Sequence, residues 1–187
     1  MVDADEVSRA LELHARATCL WPAEAVHSAL DRLAAEVTER LETHVPVLLC
    51  LMNGGVYPTG QLMERLRFPL ELDYVHATRY RGDTEGGAIE WRARPRIPLA
   101  ERSVLLVDDI LDEGYTLAAV QDYCHTQGAR EVSTLVLVEK QHDRCIPEAR
   151  RDFVGLPVPD RYVYGAGMDY HGLFRNQAAV YALPDER

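Results

Sequence analysis

Apolar residues recur at steps of three and four from Val26 through Leu30, Leu33 and Val37 to Leu41, and this spacing predicts an amphipathic helix over 23–41 with Pro22 suited to its first position. PVLLCLMNGG, residues 46–55, shows a different pattern: an unbroken apolar run, too short for a helix and without polar alternation, ending in two glycines. That is the signature of a strand covered on both faces and running into a turn. A second helix is expected through GQLMERL, 60–66. ELDYVHATRY, 71–80, is enriched in β-branched and aromatic residues, whereas 81–102 is polar, glycine-bearing and punctuated by Pro95 and Pro98. A connection of that length is either a lid, in which Trp91 reads as a lid anchor or, preferably, a residue of a short hairpin, or a mobile segment.

SVLLVDDI, 103–110, is the next strand, TLAAVQDYCHTQG a helix ending at Gly128, and EVSTLVLVEK, 131–140, a further strand. Strand, helix and strand in alternation predict an α/β fold with a parallel sheet and flanking helices. From His142 onward the pattern breaks into short apolar pieces separated by Pro147, Pro157 and Pro159. This stretch reads as an irregular cap on the sheet rather than another βαβ unit. No repeat or linker divides the chain, so 1–187 is read as a single domain, with a lid at about 80–100 and a C-terminal hood at about 141–187.

Composition narrows the class. Among 187 residues, 47% are hydrophobic and 27% charged, as in an ordinary globular protein. The net charge of −10 opposes broad binding to nucleic acid, whose backbone is held by lysine and arginine. No apolar run approaches the roughly 18 residues of a membrane span, and the acidic start MVDADEVSRA lacks the order of a secretion signal. Cys19, Cys50, Cys124 and Cys145 form no C-x-x-C pair, which favours a reducing, cytoplasmic setting. His142 and Cys145 have a metal-like interval, but without a second pair of ligands they define no zinc site.

The chemistry concentrates in VLLVDDILDEGYTL, 104–117, where Asp108, Asp109, Asp112 and Glu113 fall within six positions. Such carboxylates repel one another unless something cationic or hydroxyl-rich lies between them. The pattern places a strand at 104–107, a turn at 108–114 and a helix start at Tyr115 or Thr116. A phosphate can sit on the helix end, held by amides around Glu113 to Thr116 and by the Thr116 hydroxyl, with Asp108 and Asp109 accepting from sugar hydroxyls. Taken singly, Asp112 or Thr116 reads equally well as an ordinary helix cap.

The same stretch resembles the 5-phosphoribosyl pyrophosphate (PRPP) signature of type I phosphoribosyltransferases. LLCLMNGG resembles their pyrophosphate loop, and DFVGLPVPDRYVYGAGMDYHGLFRN resembles the C-terminal region of the hypoxanthine-guanine members. The resemblance covers most of 45–183, while the first twenty residues contribute little. It implies the type I phosphoribosyltransferase fold, parallel-sheeted with an irregular C-terminal hood. It also implies Mg²⁺-assisted transfer of the phosphoribosyl group from PRPP to N9 of a 6-oxopurine, giving a nucleoside monophosphate and pyrophosphate.

By the same resemblance Asp108 and Asp109 bind the ribose, and Asp112, Glu113, Gly114, Tyr115 and Thr116 the 5′-phosphate, with the Glu113 side chain turned outward. Asp112 faces purine N7 as general base or hydrogen-bond acceptor. Asn53, Gly54 and Gly55 hold pyrophosphate together with Arg175, and the Met52–Asn53 peptide is expected to be cis. Lysine or arginine often replaces Asn53 in relatives. Lys140 donates to purine O6, Tyr162 stacks on the base, Val163 offers backbone groups and Met168 lines the pocket. Asp169 helps to hold Mg²⁺, with Asp108 and Asp109 as further oxygen ligands. Tyr80 takes the tyrosine place of a serine-tyrosine lid motif, with Arg79 standing where the serine would be.

The resemblance further implies a homodimer or homotetramer with no membrane or nucleic-acid partner. A xanthine-preferring transferase is the nearest alternative. A non-catalytic regulator sensing PRPP or purines is a more distant one, because an acidic chain with about twenty residues ahead of the first helix has no room for a winged-helix domain.

Overall fold

The computed structural model describes residues 4–79 and 89–184. Its centre is a six-stranded sheet in the order β4-β3-β2-β5-β6-β7, formed by β2 (Val47–Leu51), β3 (Glu71–Arg79), β4 (Ile89–Ala93), β5 (Ser103–Leu111), β6 (Glu131–Gln141) and β7 (Phe153–Pro159). All neighbours are parallel except β4, an antiparallel edge strand that pairs Arg79 with Ile89 and Ala77 with Trp91. The expected hairpin is therefore present at its base. Trp91 packs on Tyr123, with ring centroids 5.0 Å apart.

Both faces of the sheet are covered, which explains the unbroken apolar runs. Leu48, Leu105, Val107 and Leu135 join a core beneath α2 (Ala23–Leu41) and α3 (Val56–Arg65), where Leu30, Leu33 and Leu62 are fully buried. Leu49, Val104, Leu106 and Val136 face the opposite core, closed by Leu117, Val120 and Cys124 of α4 (Tyr115–Thr126). Each such side chain contributes about 1.5–3 kcal/mol relative to exposure. The 23–41 periodicity thus yields α2 with the expected bounds, while α3 starts earlier than GQLMERL and accommodates Pro58 in its first turn, where no helical N–H is lost.

Two expectations are corrected. The 142–183 stretch is not wholly a cap, because β7 joins the central sheet beside β6 with Leu135 opposite Phe153. Pro157 and Pro159 are tolerated there because β7 is an edge strand. The N-terminus also contributes more than the resemblance suggests. β1 (Thr18–Trp21) pairs with β9 (Val180–Ala182), which pairs with β8 (Val163–Tyr164), forming a separate three-stranded sheet under the hood. His14 of α1 (Ala4–Arg16) lies 2.9 Å from the Tyr164 hydroxyl and stacks on Phe174. Among the described residues no helix is long and apolar enough to cross a membrane.

Candidate active site

The parallel strands end on one side of the sheet, where open α/β folds bind ligands. A cleft of about 910 Å³ lies there, and a smaller cavity of about 160 Å³ shares Asp109, Ile110, Asp112 and Asp169 with it. The turn after β2, the turn after β5 and the 165–175 loop of the hood meet there, beside the end of β3 and Lys140 of β6.

The acidic turn is shorter than its sequence suggests. β5 runs on through both aspartates to Leu111, because β6 continues to pair with it as far as Leu111 opposite Glu139. Asp108 and Asp109 are therefore held on a strand, and only Asp112 to Gly114 turn. Gly114 has φ 86°, and a Cβ there would overlap Ala149, so glycine alone fits this bend. No side chain caps α4, so neither Asp112 nor Thr116 plays the ordinary capping role. Tyr115, Thr116 and Leu117, the first turn of α4, line the large cleft.

Asp109 is buried and Asp108 partly so. Oδ1 of each accepts the next residue's backbone N–H at 2.9 Å. Burial, followed by repulsion from Asp109, pushes Asp108 well above the usual carboxylate range. Burial also raises Asp109, opposed by its hydrogen bonds and by Arg175. The Arg175 guanidinium lies 3.8 Å from Asp109 and 2.6 Å from Asp169, and donates to the Gly167 carbonyl at 2.8 Å. One cation thus serves two carboxylates directly and leaves Asp108 at a remove.

The Met52–Asn53 peptide is cis, as the resemblance implies. Gly54 lies so close to Asp109 that a Cβ would overlap the carboxylate. Asn53 and Gly54 line the cleft. Gly55 does not: it is wedged against the Val107 and Leu51 carbonyls, and its N–H is bonded to Leu51 O at 2.9 Å. That amide is thereby committed within the protein, while the Gly55 carbonyl accepts the first helical bond of α3 from the Thr59 N–H at 2.9 Å.

The small cavity brings together Asp112, Lys140, Tyr162, Val163 and Met168. Lys140 Nζ contacts Asp112 Oδ2 at 2.7 Å, and His142 Nε2 contacts Oδ1 at 2.7 Å. Burial pushes the Asp112 carboxyl up, but hydrogen bonds from Lys140 and His142, with the Lys140 charge, outweigh it and hold the group below its usual range. Tyr162 is 47% exposed, which rules out a plain core role, and its hydroxyl donates to Asp169 O at 3.1 Å.

Glu113 pairs with Arg79 at 2.6 Å, and that guanidinium also lies 4.2 Å from the Tyr115 ring centroid. Tyr80 lies outside the described residues. Arg144, also on the cleft, is held by both oxygens of Asp160 at 2.7 and 2.8 Å. The contacts of Arg79 and Arg144 at the cleft and of His142 with Asp112 are not anticipated by the sequence, which presents Arg79 only in a lid pair and His142 only in a metal-like interval. The signal for His142 is its two-residue step from Lys140 at a strand end, which sends both side chains the same way. Among the described residues no three His, Cys, Asp or Glu converge as a ready metal site.

The model of the phosphoribosyl transferase domain matches residues 22–161. The hypoxanthine-guanine-xanthine phosphoribosyltransferase of Tritrichomonas foetus is 28% identical over 166 residues, covering 89% of this chain and 91% of that protein. The hypoxanthine-guanine phosphoribosyltransferase of Bacillus subtilis is 26% identical, covering 82% and 85%. A solved hypoxanthine-guanine-xanthine phosphoribosyltransferase superposes with a TM-score of 0.82 at 26% identity, covering 90% of this chain and 97% of that one. With the family model spanning most of the chain and the acidic strand end, the cis turn and the hood all meeting at one cleft, this protein belongs to the phosphoribosyltransferase family.

Proposed function

We propose that the protein is a purine salvage transferase that moves the 5-phosphoribosyl group of PRPP to N9 of hypoxanthine or guanine, giving IMP or GMP and pyrophosphate. The observation that carries this reading is the Lys140–Asp112 contact at 2.7 Å inside a cavity bordered by Tyr162 and Met168. A cation and a carboxylate side by side match the adjacent O6 acceptor and N7–H donor of a 6-oxopurine. Adenine presents an amino group at that edge, so Lys140 would face a donor with no acceptor, a mismatch that polar sites reject strongly.

In this reading α4's first-turn amides and Thr116 bind the 5′-phosphate, and Asp108 and Asp109 hold the ribose hydroxyls. Asn53, Gly54 and Arg175 lie along the pyrophosphate. N9 attacks C1 of the ribose as the C1–O bond to pyrophosphate breaks, with the electron pair leaving on pyrophosphate. The N7 proton passes to Asp112, whose low basicity suits a proton that becomes acidic only as the purine takes on positive charge. Tyr162 and Lys140 fix the plane and register of the base, so much of the acceleration comes from placement.

Asp169, Asp108 and Asp109 would each offer a hard oxygen to Mg²⁺ without converging on one point by themselves. Substrate oxygens and water would complete the shell, as this ion prefers. A bound Mg²⁺ would neutralise charge developing on the pyrophosphate. Two or four copies in a cytoplasmic assembly belong to the same reading, and the four free cysteines suit a reducing compartment. The test is nucleotide formation from PRPP and Mg²⁺ with hypoxanthine, guanine, xanthine or adenine. Turnover of the first two is expected; activity on adenine alone would overturn the reading, and a clear preference for xanthine would reassign the base.

A further inference from the structure

His142 sits just beyond β6 and lines neither cavity, yet its imidazole is the second partner of the carboxylate on which the proposed chemistry depends. Only 4% of the side chain is exposed. Its two ring nitrogens have different neighbours. Nδ1 accepts the Arg144 backbone N–H at 3.1 Å, and Nε2 lies 2.7 Å from Asp112 Oδ1. A nitrogen that accepts from an amide carries no proton of its own, so the network places the proton of the neutral ring on Nε2 and makes His142 the donor to Asp112.

Both oxygens of Asp112 are thus engaged, Oδ1 by His142 and Oδ2 by Lys140. Each oxygen keeps a second lone pair, and withdrawal of a donor opens the oxygen it held to a new partner. The two donors are not equally free to withdraw. Lys140 lines the small cavity and ends a flexible four-carbon stem. His142 is buried and clamped from behind by the Arg144 amide. Several charged groups nearby are already paired: Arg144 with Asp160, Glu113 with Arg79, and Glu139 with Arg151 at 2.7 Å. None of these pairs competes for Asp112.

We propose that His142 is a positioning residue for phosphoribosyl transfer: its Nε2–H holds Asp112 Oδ1 so that Oδ2 faces the purine and becomes the accepting oxygen when O6 draws Lys140 away. The inference rests on the reading of Asp112 as acceptor of the purine proton. The balance is simple. One proton leaves N7 and arrives on Oδ2, while His142 neither gains nor loses one, because its free lone pair is already used by the Arg144 amide.

The test compares His142→Leu, which removes the donor, with His142→Gln, which returns an N–H near the position of Nε2, each alone and in an Asp112→Asn background. His142→Leu is expected to lower kcat by about 10²-fold, the scale of a misplaced catalytic group, with the KM for PRPP unchanged. His142→Gln should recover most of that loss, and neither change should add to the loss caused by Asp112→Asn. Wild-type kcat in His142→Leu beside a disabled Asp112→Asn overturns the proposal alone, as does an equal loss in both backgrounds. Wild-type kcat in Asp112→Asn overturns the base reading and this inference with it. Should His142→Leu fail to fold, ¹⁵N NMR of the wild-type ring decides: a proton on Nε2 with Nδ1 bare supports the assignment, and a protonated Nδ1 overturns it.

Discussion

Asp109 and Asp112 stand three residues apart on one strand end, yet the protein treats them in opposite ways. Asp109 is buried beside a second carboxylate with one shared guanidinium in reach, and burial raises its pKa as it does that of Asp108. Asp112 lies at the cavity wall between two donors and is held low. The difference teaches that a run of acids in sequence need not share a role. Groups made reluctant to ionise await a partner that supplies hydroxyls or positive charge, and one kept ionised is available to accept a proton.

The change that breaks this contrast most severely is Asp112→Asn. It preserves shape while removing the acceptor, and kcat with hypoxanthine is expected to fall by about 10²–10⁴-fold, the usual contribution of general base catalysis. The KM for PRPP should move little, because this side-chain change leaves the amides of the 112–116 loop and the ribose-binding Asp108 and Asp109 in place. Single-turnover measurement of IMP formation checks this directly. Loss confined to KM would place Asp112 in binding only.

Gly54→Ala attacks the other member of the comparison without touching its charge. The added methyl would overlap the Asp109 carboxylate, so one of the two must shift. Displacing the carboxylate should lower kcat/KM for PRPP by about 10²-fold, as sub-ångström placement at such sites demands. The purine KM at saturating PRPP should stay close to wild type. A normal PRPP profile would show that the exact seat of Asp109 is unimportant.

These two sites also mark how far the amino-acid sequence could be read. α2, the buried strands and the acidic loop were legible because each follows from a local period or a local cluster. The true end of β5 was not, since whether a strand stops at Val107 or Leu111 depends on how far β6 runs beside it, which is a non-local pairing. Gly55 looked like an amide donor because nothing in NGG reveals that its N–H is committed to Leu51. β7 hid behind its prolines, which an edge strand tolerates. His142 was legible only as half of a weak metal interval, because its partner Asp112 lies 30 residues away in the chain.

A smaller effect sharpens the contrast through stability. For Asp108 the folded-state pKa is raised, so the native protein binds that proton more tightly than the unfolded chain does. Stability is therefore lost as pH rises from the ordinary carboxylate range through the folded value, and the full cost is present above it. Asp108→Asn removes the cost. Measured without PRPP or Mg²⁺, its Tm should exceed that of wild type at neutral pH, and the gap should close as the pH is lowered toward the ordinary carboxylate range. The same variant should gain less Tm than wild type from PRPP with Mg²⁺. A lower Tm at neutral pH would mean that the carboxylate is already compensated.

The smallest expected effect concerns Glu113, an acid placed where a phosphate is to bind. Arg79 draws its carboxylate toward the base of the β3–β4 hairpin at 2.6 Å. Both side chains are more than a third exposed, so the pair contributes at most about 1 kcal/mol to stability. Its consequence for binding is asymmetric. Arg79→Ala releases a negative charge beside the 5′-phosphate and should raise the KM for PRPP by up to about fivefold, the equivalent of 1 kcal/mol. Glu113→Ala removes that charge and should leave the KM unchanged or lower it. In the double variant no carboxylate remains to be released, so the penalty of Arg79→Ala should vanish. If it persists there, Arg79 acts on the phosphate directly rather than by restraining Glu113, and salt titration of the KM would show the loss of one screened attraction.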